Sequence, residues 1–380
     1  MNDGGIRSEA HLAERALESL RTLLGPEWAV DDLSAEEVQP DADRGFDVYV
    51  RVTPPDGRSP HVDLLIATKS QVTPSAAENQ IVPVNSILRH TKSPHVLVVV
   101  APWISERTQR VLRDRGIGYL DLTGNVWLSV AFPSIHLYTQ GDRKAPRGGE
   151  RGAKTVTLSG PRAGRVVRFL VDFAPPYRAT DIAEAAEVSL PWVSRLLTQL
   201  QDQLLIRREG RVVVDVDWQG LLHARAGSYD LLRHNPHIGT LAPNGIAAVL
   251  EKLRELPLPD QGKPRAVVTG PYAAQEVAPL TSGGQLMLYV GNESQAPDEL
   301  AGDLGLIRVD ERAEVLLLRS HDDIVFEGYR TLDGIAHVAY SQLVLDGLAG
   351  PGRMPAEAEA VLAYMSANEK SWRRRLSRTA

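Results

Sequence analysis

Residues 162–214 place the tightest constraint on what this chain can fold into. Val166, Val167, Leu170 and Val171 recur at helical spacing between Arg162 and Phe173. Pro175 and Pro176 stop that helix, because proline removes an amide donor and clashes with the preceding turn. A short second helix is predicted from Thr180 to Ala186, turning at Glu187 and Val188. Ser189 opens a third, with Pro191 near its first position and Val193, Leu196, Leu197 and Leu200 as its buried stripe. Its other face carries Trp192, Ser194, Arg195, Thr198 and Gln199. Leu204, Leu205 and Ile206 then lead through Arg207, Arg208, Gly210 and Arg211 into Val212–Val214, which reads as a tight basic hairpin. Three short helices followed by such a hairpin form a winged helix-turn-helix.

Charge singles out the same region. Residues 143–211 hold 13 lysines and arginines against 7 aspartates and glutamates, whereas the 380-residue chain as a whole carries a net charge of -6. A helix with an exposed polar face suits the major groove, and arginines on an adjacent hairpin reach phosphates. The expected partner is therefore double-stranded DNA. Ser189, Trp192, Ser194, Arg195, Thr198 and Gln199 form the expected helix-side contacts, and Arg207, Arg208 and Arg211 the positioning contacts.

At 380 residues the chain exceeds the roughly 250–300 at which one core usually stops growing. The glycine-rich, charged stretch Gly141–Gly152 reads as a linker, and a second break falls near Leu256–Pro264 or Asn235–Ala242. We expect an α/β domain over residues 1–140, a linker over 141–155, the winged helix over 156–235 and a C-terminal α/β domain over 236–380. In the first domain a helix is predicted from Ser8 to Leu24. Alternating strands follow over Phe46–Val52 and Val62–Lys69, joined by the turn Pro54–Gly57. A helix over Pro74–His90, a buried strand over Val96–Val100, a helix from Ser105 to Arg115 and strands around Thr123–Asn125 complete it.

Much chemistry is excluded. The absence of cysteine removes disulfides, thiolate metal sites and cysteine nucleophiles. His234 and His237 are separated by Pro236, which breaks helical metal-ligand spacing, and no GxSxG elbow, P-loop or GxGxxG follows a strand. No cofactor or metal is expected. The longest apolar run, Val96–Ile104, is half a membrane span and the N-terminus lacks a signal-peptide pattern, so a cytoplasmic, nucleoid-associated protein without membrane contact is expected. The basic end, Lys370–Arg378, reads as a solvated terminus, with a DNA-contacting arm as the alternative.

Three resemblances extend this reading. Residues 156–224 resemble winged helix-turn-helix regulators of the MarR and IclR groups through Thr180–Ala183, Val188–Ser189, Val193–Leu197 and Leu204–Arg211. The first domain resembles the PD-(D/E)XK restriction-endonuclease-like fold, on Asp63–Lys69. That resemblance implies a Mg²⁺ site in which Lys69 matches the family lysine and Asp47 or Asp63 supplies one acid. Ala67 stands where the second carboxylate belongs, so the site is degenerate unless Glu78 replaces it. The C-terminal region, with Val267–Ala274, Tyr340–Asp346 and Gly350–Arg353, resembles the AbiEi-like (type IV) antitoxin regulators and, more distantly, a nucleotidyltransferase fold lacking its acidic pair. The adjacent Asp322 and Asp323 read as a turn feature.

Together these imply an α+β multidomain chain: a restriction-endonuclease-like α/β domain, a central winged helix-turn-helix and a degenerate nucleotidyltransferase-like C-terminal α/β domain. The expected function is non-catalytic, sequence-specific transcription regulation. One winged helix offers a small interface, so a homodimer on a palindromic site is expected. A Mg²⁺-dependent nuclease guided by the winged helix, and an antitoxin-type module bound to a protein partner, are the alternatives.

Overall fold

The computed structural model describes residues 3–33, 46–88, 95–142, 158–259, 262–280 and 283–376. Most of the expected linker lies outside the described residues. The chain divides into two compact units, residues 1–156 with 199–204, and residues 157–198 with 205–380. Both mix helices with β-sheet.

The first unit is built on a seven-stranded sheet whose strands lie side by side in chain order: β1 (Ala29–Asp32), β2 (Val48–Thr53), β3 (Val62–Thr68), β4 (His95–Ala101), β5 (Gly118–Asp121), β6 (Val126–Val130) and β7 (Ile135–Thr139). The central pairs β3/β4 and β4/β5 are parallel and all others antiparallel. β3 is buried along its whole length because both sheet faces are covered. Leu64 and Ile66 pack with Leu12, Ala16 and Leu20 of the helix Asp3–Leu24. Leu65 and Ala67 pack on the opposite face with Ala77, Ile81 and Leu112. The two edge strands, β1 and β7, were not expected.

The helix expected over Pro74–His90 is interrupted. Pro74–Ala76 runs into a π-helical turn at Ala77–Ile81, and α-helix resumes over Val82–Leu88. Pro83 cannot donate a hydrogen bond one turn back, which favours a wider turn just before it.

The second unit joins the expected winged-helix residues to the C-terminal sheet. That sheet has seven strands, in the order Ile307–Arg308, His237–Leu241, Val315–Arg319, Leu286–Val290, Ala266–Thr269, Ile335–His337 and Arg330–Leu332. The fully buried helix segment Ser341–Gly347 packs beside the helices Trp218–Ala226 and Pro161–Asp172. Arg168 fastens the two parts. Almost wholly buried, it pairs with Asp172 and donates to Gln342 Oε1 and to the carbonyls of Ile324 and Glu327. A buried guanidinium with every edge engaged is costly to separate from its partners.

The described part of the C-terminal segment, residues 370–376, is tied to the helix Pro161–Asp172 and the strand after it, with Arg374 and Arg375 exposed. Arg374–Arg375 pairs as a parallel strand with Phe173–Ala174, and Arg373 donates to the carbonyls of Leu170 and Val171. Those carbonyls end the helix Pro161–Asp172, where the Tyr177 hydroxyl also donates to Leu170, and a cation there adds hydrogen bonds and meets the helix dipole. Trp372 meets Trp218 edge to face, and Arg374 lies 4.4 Å over the Phe173 ring. Residues 377–380 lie outside the described residues.

Candidate nucleic-acid interface

The region from Pro161 to Val216 folds as helix Pro161–Asp172, strand Tyr177–Arg178, helix Ala179–Ala185, helix Leu190–Asp202 and hairpin Ile206–Glu209/Val212–Val216. Both hairpin strands and Tyr177–Arg178 form one three-stranded antiparallel sheet. Asp181 accepts the backbone N–H of Arg178 and so closes the start of the second helix. The turn to the third passes through Glu187 at φ 52, and the Ser189 carbonyl accepts the amides of Trp192 and Val193. Val193, Leu196 and Leu197 are buried. That orientation leaves Ser194, Arg195 and Thr198 exposed and Trp192 and Gln199 half-buried.

The hairpin turns on Gly210 and Arg211. Gly210 sits at φ 62, a conformation that fits a two-residue hairpin turn and that side chains resist. A register shift in the ladder falls between Arg207 and Arg208. Arg207 is exposed and paired with Glu209 at 2.7 Å. Arg208 reaches the Thr198 hydroxyl at 3.3 Å, and Thr198 in turn donates to the Ser194 carbonyl. Arg211 is exposed at the tip.

These elements enclose a groove of about 640 Å³ bordered by Arg178, Thr180, Leu190, Ser194, Arg208 and Arg211. Of the residues expected at the interface, Ser194, Arg208 and Arg211 line it directly. Arg195 and Thr198 lie on the exposed side of the same helix, and Ser189 precedes it. Arg178, Thr180 and Leu190 were missed. Arg178 arrives there because it pairs with Val212, a contact between residues far apart in the chain. Leu190 is 41% exposed and borders the groove with the apolar Ala179, Leu197 and Val212 as well as with the arginines.

The expected nuclease residues separate into two groups. Asp63 is buried, accepts from Tyr49 at 2.6 Å and takes a two-point contact from Arg51 at 2.9 and 3.2 Å. Burial alone would raise its carboxyl, but the Arg51 and Tyr49 hydrogen bonds outweigh it and hold the group below its ordinary range. It lies six residues along the chain from Lys69, roughly 20 Å at strand rise, so the two cannot belong to one metal-and-lysine site. Asp47 is nearer. Pairing of Val48 with Ile66 sets Asp47 beside Ala67 and Thr68, where it accepts from the Thr68 amide at 2.6 Å and hydroxyl at 2.7 Å.

Ala67 is buried and offers no ligand, while Lys69 is half-buried just past the strand end. Glu78 is paired with Arg115. Asp121 organises its own turn, accepting from Ile104, Thr123 and Asn125. Among the described residues no three histidine, aspartate or glutamate side chains converge as a metal site. Asp322 caps the short 3₁₀ helix Asp323–Phe326, as a turn residue would, and also receives Arg165 at 3.1 Å.

Among the described residues no helix is long and apolar enough to cross a membrane. No family model and no curated protein matches the chain. Among solved structures, it is similar to EndoMS in its apo form at 23% identity, with a TM-score of 0.21, over 30% of this chain and 45% of that one. The chain thus spans less than half the length of the EndoMS chain that it matches.

Proposed function

We propose that this chain is a non-catalytic, sequence-specific DNA-binding regulator. The helix Leu190–Asp202 enters the major groove, and the Ile206–Val216 hairpin lies along the phosphates beside it. The observation that carries the proposal is the groove that Arg178, Arg208 and Arg211 line together with Thr180, Leu190 and Ser194. Positive side chains supply salt-dependent affinity, while Ser194, Arg195 and Thr198 offer donors and acceptors to base edges.

The first unit is, in this reading, a restriction-endonuclease-like fold that has lost its metal site. Supporting this, Ala67 brings no carboxylate and Asp63 is neutralised by Arg51. The protein acts as a homodimer on a two-fold symmetric site, since a single module of this size buries little DNA surface. Selection from a random duplex library, with and without Mg²⁺, tests all of this together. A palindromic motif recovered on intact DNA is the expected result. Cleaved products would overturn the non-catalytic reading, and no enrichment would overturn DNA recognition in favour of a protein partner.

A further inference from the structure

We propose that Leu190 reads the 5-methyl group of a thymine. The inference rests on the DNA-binding reading above and assigns a specificity role within it. Leu190 is the first residue of the helix Leu190–Asp202, the end of a recognition helix that approaches base edges most closely. It borders the groove together with Ser194, one turn further along, and with Arg178, Arg208 and Arg211.

Its exposure is what requires explanation. Leu190 lies in line with the buried Val193 and Leu197, at the open end of that stripe, yet stays 41% exposed where the stripe reaches the groove. The other large exposed hydrophobic side chains, among them Ile87, Phe132, Leu280 and Ile307, do not border this groove. With Ala179, Leu197 and Val212, Leu190 makes an apolar strip beside the three arginines of the groove, and a leucine gives phosphate nothing to bond. It does match the one apolar feature that the major groove displays, the thymine methyl. Ser194 beside it can meet the neighbouring polar edge, so the pair would read one base step by shape and hydrogen bonding at once.

The test uses the full chain and the duplex recovered by selection, with each thymine replaced singly by deoxyuridine, and affinity read by fluorescence anisotropy. Removing one methyl from an apolar contact should weaken the wild type about four-fold at a single position in each half-site. Leu190→Ala should bind the parent duplex more weakly and show no further loss at that position, whereas Leu190→Met, which keeps an apolar tip, should retain the discrimination. Circular dichroism of both variants reports whether the helix is kept. Wild-type indifference to uracil at every thymine, or undiminished discrimination by a folded Leu190→Ala, would overturn the assignment alone. Failure of the wild type to bind any duplex would overturn the DNA-binding reading and the assignment with it.

Discussion

The Arg208 guanidinium donates to the Thr198 hydroxyl at 3.3 Å, tying the hairpin to the helix that it flanks. Sequence reasoning gave these residues separate tasks, phosphate contact for one and base contact for the other. Their hydrogen bond makes them a coupled pair that fixes the distance between wing and helix. Arg208→Ala should weaken binding to every duplex, and Thr198→Val should weaken it both by loosening Arg208 and by removing the hydroxyl offered to a base edge. The double variant should fall short of the sum of the two effects, because both remove the same hydrogen bond. Anisotropy titrations of the three variants measure this, and strict additivity would show that the pair acts independently.

Arg373 should matter for stability and not for DNA affinity. It satisfies the carbonyls of Leu170 and Val171 at the end of the helix Pro161–Asp172. Arg373→Ala removes both bonds, leaving Leu170 only the Tyr177 hydroxyl, and should cost about 1–3 kcal/mol in urea unfolding. The salt dependence of DNA binding should stay unchanged. A reduced salt slope would instead make this segment a DNA-contacting arm.

The first unit should be indifferent to Mg²⁺. Millimolar Mg²⁺ should leave the melting temperature unmoved and duplex DNA uncut. A saturable rise in melting temperature that Asp47→Asn abolishes would show that Asp47 binds metal despite Ala67. Asp63→Asn should destabilise this unit by about 1–3 kcal/mol, because the buried amide replaces a carboxylate that accepts charge-assisted bonds from Arg51 and a bond from Tyr49.

Two buried groups of the second unit give stability an unusual pH dependence. Asp346 is wholly buried and accepts from Thr269, Tyr289, Gln342 and Tyr229, but burial outweighs these bonds and raises it to about 6. Its folded value lies above the unfolded reference of 3.8, so its contribution is full below that value and is lost as pH rises through about 6. His337 runs the other way. Burial, with help from Arg330, lowers it to about 4 from 6.5, so its contribution is present above 6.5 and is lost as pH falls through about 4. The two slopes oppose each other between about pH 4 and 6. Asp346→Asn should therefore steepen the rise of stability with pH across that window, measured by urea unfolding. An unchanged slope would mean that Asp346 is not titrating there.

The parts of the fold legible in sequence were those fixed by local pattern. The stripe Val193, Leu196, Leu197 and Leu200 set the face of the third helix, and Gly210 set the hairpin turn, so both elements were located to within a few residues. What escaped depends on distant pairing. Arg178 enters the groove only through its register with Val212, and β1 ends in Asp31 and Asp32, which carry no strand signal without β2 beside them. The basic C-terminal segment looked solvated because nothing local shows that Arg373 finds helix carbonyls some two hundred residues away. Leu190 escaped for a different reason. A leucine in a helix is expected in the core, and only its exposure shows that this one is not.

The most direct test of DNA recognition is the salt dependence of binding to the selected duplex, measured by anisotropy for the wild type and for Arg178→Ala and Arg211→Ala. The account predicts log-linear weakening with salt, with each variant lowering the slope by about one unit for each phosphate that it no longer neutralises. A slope unchanged in both variants, or no binding by the wild type even at low salt, would contradict it.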